Sequence, residues 1–165
     1  MNNKPVPSWR IRENKKKEDR MKLPQYITKE EVQRICKALK IRDWTKLKDA
    51  KVQPGEAKKV LADVNTEKMK IDLEEFRVGL EVELEHGIRF RDANVTNNHP
   101  LVTGMIVLAH LKESLDYYKL LEVAEVEGDL MKAVAAGDTA KTKKYFKKLA
   151  EAKIALAKTQ AAQIK

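Results

Sequence analysis

The segment from Pro100 to Glu113 constrains the fold more than any other part of the chain. It carries Leu101, Val102, Met105, Ile106, Val107, Leu108 and Leu111, so a helix built from it is apolar nearly all round. Such a helix has little surface to offer water and belongs in the middle of a bundle. Pro100, following Asn98-His99, occupies the favoured first helical position. No apolar run in the chain approaches the ~18 residues a membrane span needs.

The neighbouring segments supply helices to surround it. Thr28 and Glu31 have capping-box spacing, with Ile27 and Val32 as a hydrophobic staple. Val32, Ile35, Cys36 and Leu39 then form one apolar stripe. Asp72 and Glu75 repeat the signature with Ile71 and Phe76, ahead of a face made of Leu73, Phe76, Leu80 and Leu84. Gly87 is expected to stop that helix. A further helix is expected from about Asp116 to Ala136, with Tyr117, Leu120, Leu121, Ala124, Met131 and Val134 inward and Gly137 at its end. Asp138 or Thr139 can cap a last helix, whose stripe is Tyr145, Phe146, Leu149, Ala152 and Leu156.

Strand signals are absent, and the sequence predicts an all-α fold: a small helical bundle of four to five helices with an extended basic N-terminal arm. Residues 1–25 form the arm, 26–136 the helical core and 137–165 a Lys-rich C-terminal helix. Pro54-Gly55 reads as a turn, and the stretch 40–70 around it, with a short helix over Ala57–Val64 at most, is expected to be an insertion or lid. The lone Cys36 lies among Val32, Ile35 and Leu39, which makes it buried filler and excludes an internal disulfide or a Cys-based zinc site.

Charge is concentrated at the two ends. Residues 1–22 hold eight Lys/Arg against three acids, and residues 141–165 hold eight Lys against the single acid Glu151. The middle is slightly acidic, so the net charge of +9 comes from the ends. This pattern suits a near-neutral body gripping an acidic partner. The candidate contacts to a partner or polyanion are Arg10, Arg12, Lys15, Lys16, Lys17 and Arg20 in the arm, and Lys143, Lys144, Lys147 and Lys148 in the last helix. Pairing at i,i+4 cannot neutralise that helix, whereas nucleic-acid phosphates or an acidic protein surface would. Aromatic residues for base stacking are scarce, so nucleic-acid contact is expected to be non-specific. The N-terminus has no apolar core of a signal peptide, and the sequon Asn94-Val95-Thr96 is not expected to carry a glycan.

One cluster could carry chemistry. Glu83 and His86 have the E-x-x-H spacing used by di-iron helical bundles. His110 and Glu113 have the same spacing in reverse order, and Tyr117 follows. Glu83 falls on the apolar face of its helix, beside Phe76, Gly79 and Leu80, and His110 sits in the helix without a polar face. Buried groups of this kind must find partners. Two readings stand. Glu83, His86, His110 and Tyr117 form a structural polar network, or Glu83, His86, His110 and Glu113 ligate iron, manganese or zinc. The network is the expectation, with no metal and no cofactor, because only one correctly ordered motif is present. Phosphate-binding glycine loops and Ser/His/Asp or Cys/His arrangements are missing.

The text DLEEFRVGLEVELEHG, followed by NVTNNHPLVTGMIVLAHLKESLDYY, resembles a small uncharacterised all-helical domain family of bacterial and bacteriophage genomes. The resemblance covers residues 72–118 and extends weakly to ITKEEVQRICKALKI. Family members run almost directly from the first helix into the second, and typically have Pro where this chain has Leu115, which implies a helix break there. The resemblance implies a phage or bacterial setting and no mechanism. The combined expectation is a non-enzymatic structural or accessory protein, held by its basic termini among other structural proteins of a multi-copy assembly. A bacteriophage virion, in capsid or tail, is the specific expectation, with the host cytoplasm as the alternative location. The competing expectation is a ferritin-like Glu/His metal-binding bundle with redox activity.

Overall fold

Among the described residues six α-helices begin where the sequence supplies caps: α1 Lys29–Leu39, α2 Pro54–Val64, α3 Leu73–Arg89, α4 Pro100–Glu113, α5 Tyr117–Ala135 and α6 Thr139–Gln163. Single 3₁₀ turns lie at Trp44–Lys46 and Arg91–Ala93. This computed structural model describes residues 26–164, and among them there is no strand. The basic arm, with Arg10, Arg12, Lys15, Lys16, Lys17 and Arg20, lies outside the described residues. Thr28 accepts a bond from the Glu31 N–H at 3.2 Å. Asp72 caps α3 through the N–H groups of Glu74 and Glu75. Each cap satisfies donors that the first helical turn leaves unpaired. His99 is itself the cap of α4, its Nδ1 accepting from the Val102 N–H at 3.3 Å.

The core is built from Val32 and Cys36 of α1, Ala57 and Val60 of α2, Phe76, Leu80 and Leu84 of α3, Val107 and Leu111 of α4 and Tyr118 of α5. Trp44 and Val52 complete it from the connection between α1 and α2. α4 packs against α1, α2, α3 and α5, the central place its composition requires. Its large exposed apolar residue is Met105, 61% exposed. Burial pushes the Cys36 thiol up from its ordinary value, which keeps it protonated and inert.

Three expectations are corrected. The stretch 40–70 is a wall of the core rather than a lid. Pro54 is the first residue of α2, not part of a turn, and Trp44, Val52, Ala57 and Val60 are all buried. Glu56, nearly completely buried, accepts bonds from Arg42 and from the Gln53 N–H, while Glu81 of α3 accepts from the Val52 N–H. Gly87 does not end α3, which continues to Arg89. A Cβ there would lie 2.2 Å from Asn98 Oδ1, so glycine is needed for the loop Asn94–Asn98 to pack on the helix. The inward faces of the last two helices are also partly exchanged. Tyr118, Val126, Leu130 and Ala133 are buried in α5, whereas Leu120, Met131 and Val134 are exposed. Phe146 of α6 is likewise exposed, and Ala152 is the one buried residue of that helix.

α5 and α6 form an antiparallel hairpin. Gly137, at φ 66°, makes the left-handed turn, with the Gly137 and Asp138 N–H groups returning to Val134 and Ala133 carbonyls. Asp138 then caps α6 through the Lys141 N–H. At the other end Gln163 donates to the buried Asp116 at 2.7 Å, tying the end of α6 to the break between α4 and α5. That break, over 114–116, falls at Leu115 as the resemblance implies.

A candidate polar site between three helices

Glu83 of α3, His110 of α4 and Tyr118 of α5 meet where the three helices come together. The Tyr118 hydroxyl donates to Glu83 Oε1 at 3.0 Å, and His110 Nδ1 lies 3.1 Å from the same hydroxyl. His110 Nδ1 is also 3.3 Å from Glu83 Oε1. Tyr117 stacks on the His110 ring, with centroids 4.1 Å apart and planes 9° apart. Tyr118 meets both rings edge-on. Burial, reinforced by the Glu83 carboxylate, pushes the Tyr118 phenol well above its ordinary value. The hydroxyl therefore keeps its proton and donates it to Glu83. With that proton committed, His110 completes the set by donating from Nδ1–H.

Gly79 makes the arrangement possible. A Cβ at that position would come 2.5 Å from Tyr118 Cε2 and 2.6 Å from Val107 Cγ1. Without one, the Tyr118 ring lies flush against α3, and its hydroxyl reaches the carboxylate one turn further on.

The structure brings together Glu83, His110 and Tyr117 of the expected network, and leaves out two candidates. His86 is exposed in the last turns of α3, and Glu113 is exposed at the end of α4. Their i,i+3 spacing is helical, but among the described residues neither side chain forms a hydrogen bond or ion pair with Glu83 or His110. Among the described residues, no three His, Cys, Asp or Glu side chains are close enough to share a metal ion. Tyr118 is the member that sequence reasoning missed. The signal for it was Gly79, one turn before Glu83 on an apolar face, which marks the place where a bulky neighbour must approach.

A cleft of about 220 Å³ lies beside Glu83, lined by His86, Asn94, Thr96, Thr103 and Ile106. It is smaller than the ~300–1,000 Å³ usual for ligand pockets. Its loop is held by its own bonds: Asn94 donates to the Gly87 carbonyl and to Asn98, and Thr96 donates to Asn94. The side chain of the sequon residue Asn94 is thus engaged within the protein. Cleft and network together form a satisfied polar joint, in which hydroxyl, imidazole and carboxylate bond to one another.

A joint of this kind and a metal site respond differently to the same substitution. Glu83→Gln is expected to be mild, because an amide still accepts the Tyr118 proton. Glu83→Ala is expected to cost about 1–3 kcal/mol by leaving Tyr118 and His110 without an acceptor. Chemical denaturation of both variants, with elemental analysis of protein purified without chelator, checks this. Stoichiometric iron, manganese or zinc that is lost on Glu83→Gln, in a protein that stays folded, would establish the metal reading instead.

The fold and site define a small all-helical domain with a half-buried Glu–Tyr–His joint between three of its helices. The chain belongs to the family described as Protein of unknown function (DUF5661), which matches residues 32–127, more than half its length. No curated protein and no solved structure matches the chain.

Proposed function

We propose that this protein is a non-enzymatic structural or accessory component of a multi-copy assembly, anchored through its basic ends to an acidic partner surface. The observation that carries the reading is the outer face of α6. Lys143, Lys144, Lys147 and Lys148 are all exposed. Lys147 has Glu151 at 3.8 Å, while among the described residues no acidic group lies within 4.0 Å of the other three. Four cations on one helix, three without a counter-charge, repel one another and gain by meeting phosphates or carboxylates. Glu83, Tyr118 and His110, by contrast, are occupied with one another. No described helix is long and apolar enough to cross a membrane.

The specific assembly proposed is a bacteriophage virion, in its capsid or tail. This setting rests on the resemblance of residues 72–118, and the basic ends are what adapt such a domain to a nucleoprotein particle.

Changing Lys143, Lys144, Lys147 and Lys148 together to Gln is expected to weaken polyanion binding. The salt dependence, plotted as log affinity against log salt concentration, should flatten by roughly three to four units if each lysine meets a phosphate. Titration of labelled duplex DNA across a salt series measures this. Binding by the parent protein that is insensitive to salt would replace the polyanion with an apolar protein contact near Tyr145, Phe146 and Leu149.

A further inference from the structure

The α5–α6 hairpin has two unlike faces, and one ion pair identifies which residues share each. Lys153 Nζ lies 2.7 Å from Glu127 Oε1. Glu127 and Lys153 therefore point to the same side of the hairpin, level with each other. On α5, residues seven before and four and seven after Glu127 share that side: Leu120, Met131 and Val134. They are 45%, 67% and 53% exposed. On α6, the residue seven before Lys153 is Phe146, 63% exposed, with the small side chains of Ala150 and Ala157 beside it. The side is thus apolar along α5, while α6 adds Phe146, Ala150 and Ala157 together with Lys153, Gln160 seven residues further on, and Lys143 at the rim three before Phe146. The opposite side carries Glu122, Glu125 and Asp129 from α5, and Lys144 and Lys148 from α6.

A two-helix layer buries one seam only, whereas stable helical architectures cover a second face. α6 is 25 residues long and buries Ala152 alone. Among the described residues nothing lies over the apolar side of this hairpin.

We propose that this side docks a second copy of the same chain, so that two hairpins form an antiparallel four-helix bundle. Charge selects this occupant. The side's own Glu127 and Lys153 are self-complementary across a two-fold axis. Lys144 and Lys148 point away from this side, and Lys143, at its rim, can extend its charge into water. With α5 of each copy over α6 of the other, every neighbouring helix pair is antiparallel. Glu127 of each copy then comes level with Lys153 of the other, giving four alternating charges. Area agrees: a 19-residue helix is about 28 Å long at ~1.5 Å per residue, and two helices span roughly 20 Å. The product, on the order of 600 Å² per copy, approaches the ~800 Å² per partner of a standard interface. Lys144 and Lys148 of the polyanion reading lie on the other side of α6, and the two readings are tested by different substitutions.

Sedimentation equilibrium of the full chain over a micromolar concentration series tests the proposal, with circular dichroism as the folding control. The expected result is a reversible monomer–dimer equilibrium. Val134→Ser combined with Phe146→Ser should weaken it about tenfold or more while helicity is kept, since both side chains are exposed in the single chain. Glu127→Lys alone and Lys153→Glu alone should each weaken it, and the double reversal should restore the parent affinity to within about threefold. A strictly monomeric parent, or a dimer unmoved by these substitutions, would overturn the proposal. So would a double reversal no better than the single ones.

Discussion

Trp44→Ala is expected to destabilise the protein by about 3–5 kcal/mol, the range for removing a large aromatic side chain from a packed core. Trp44 has no exposed surface, although it lies in a single 3₁₀ turn between α1 and α2. Its backbone N–H reaches Cys36 Sγ at 3.5 Å, fixing the turn against α1. Asp43 caps the turn through the Thr45 N–H. A lid would tolerate the change, while a wall would not. Trp44→Phe separates transfer and cavity effects from hydrogen bonding. The indole N–H has no partner among the described residues, so its loss removes an unsatisfied donor. The Phe variant should therefore cost well under half as much as the Ala variant. Equilibrium denaturation with parallel slopes for all three proteins measures both.

Trp44 also shows where sequence reading stops. Caps and stripes are local, and they located α1, α3, α4 and the α5–α6 turn from Thr28, Asp72, Pro100 and Gly137-Asp138. Trp44 belongs to no periodic run, so nothing nearby announces its burial. Pro54-Gly55 is ambiguous between a turn and a helix start, and Glu56, which settles it in the structure by bonding back to the Gln53 N–H, looks like any surface acid. α5 presents two apolar stripes, and periodicity alone does not say which one is covered. The covered one includes Val126, Leu130 and Ala133. The candidate site was legible to a similar depth. A carboxylate and an imidazole on apolar helix faces had to meet, and Glu83 and His110 do. The choice between Tyr117 and Tyr118 depends on how α5 rotates after the break at 114–116, which is set by the ring seated on Gly79.

Removing the Glu56 carboxylate is expected to have the second largest effect. Glu56 is 4% exposed, and its two oxygens accept from Arg42 Nε, Arg42 Nη2 and the N–H groups of Arg42 and Gln53. Arg42 Nη2 also donates to the Lys51 carbonyl at 2.6 Å, so this one pair joins the end of α1, the connection and the start of α2. Breaking a buried pair costs about 3–5 kcal/mol when the surviving charge stays buried. Arg42 is 38% exposed and can rehydrate, which places Glu56→Ala nearer 2–3 kcal/mol. The pH dependence has a definite sign. Burial alone would raise the Glu56 pKa, but the Arg42 bonds and the backbone N–H donors outweigh it and hold the carboxyl below its ordinary value. A group lowered on folding contributes stability above its unfolded pKa of about 4.3, and loses it as pH falls through the folded value. The stability gap between parent and Glu56→Ala should therefore be constant from pH 6 to 8, to order of magnitude, and narrow as the pH drops below about 4. A gap that widened on acidification would mean that Glu56 is protonated in the folded protein and that Arg42 is held by something else.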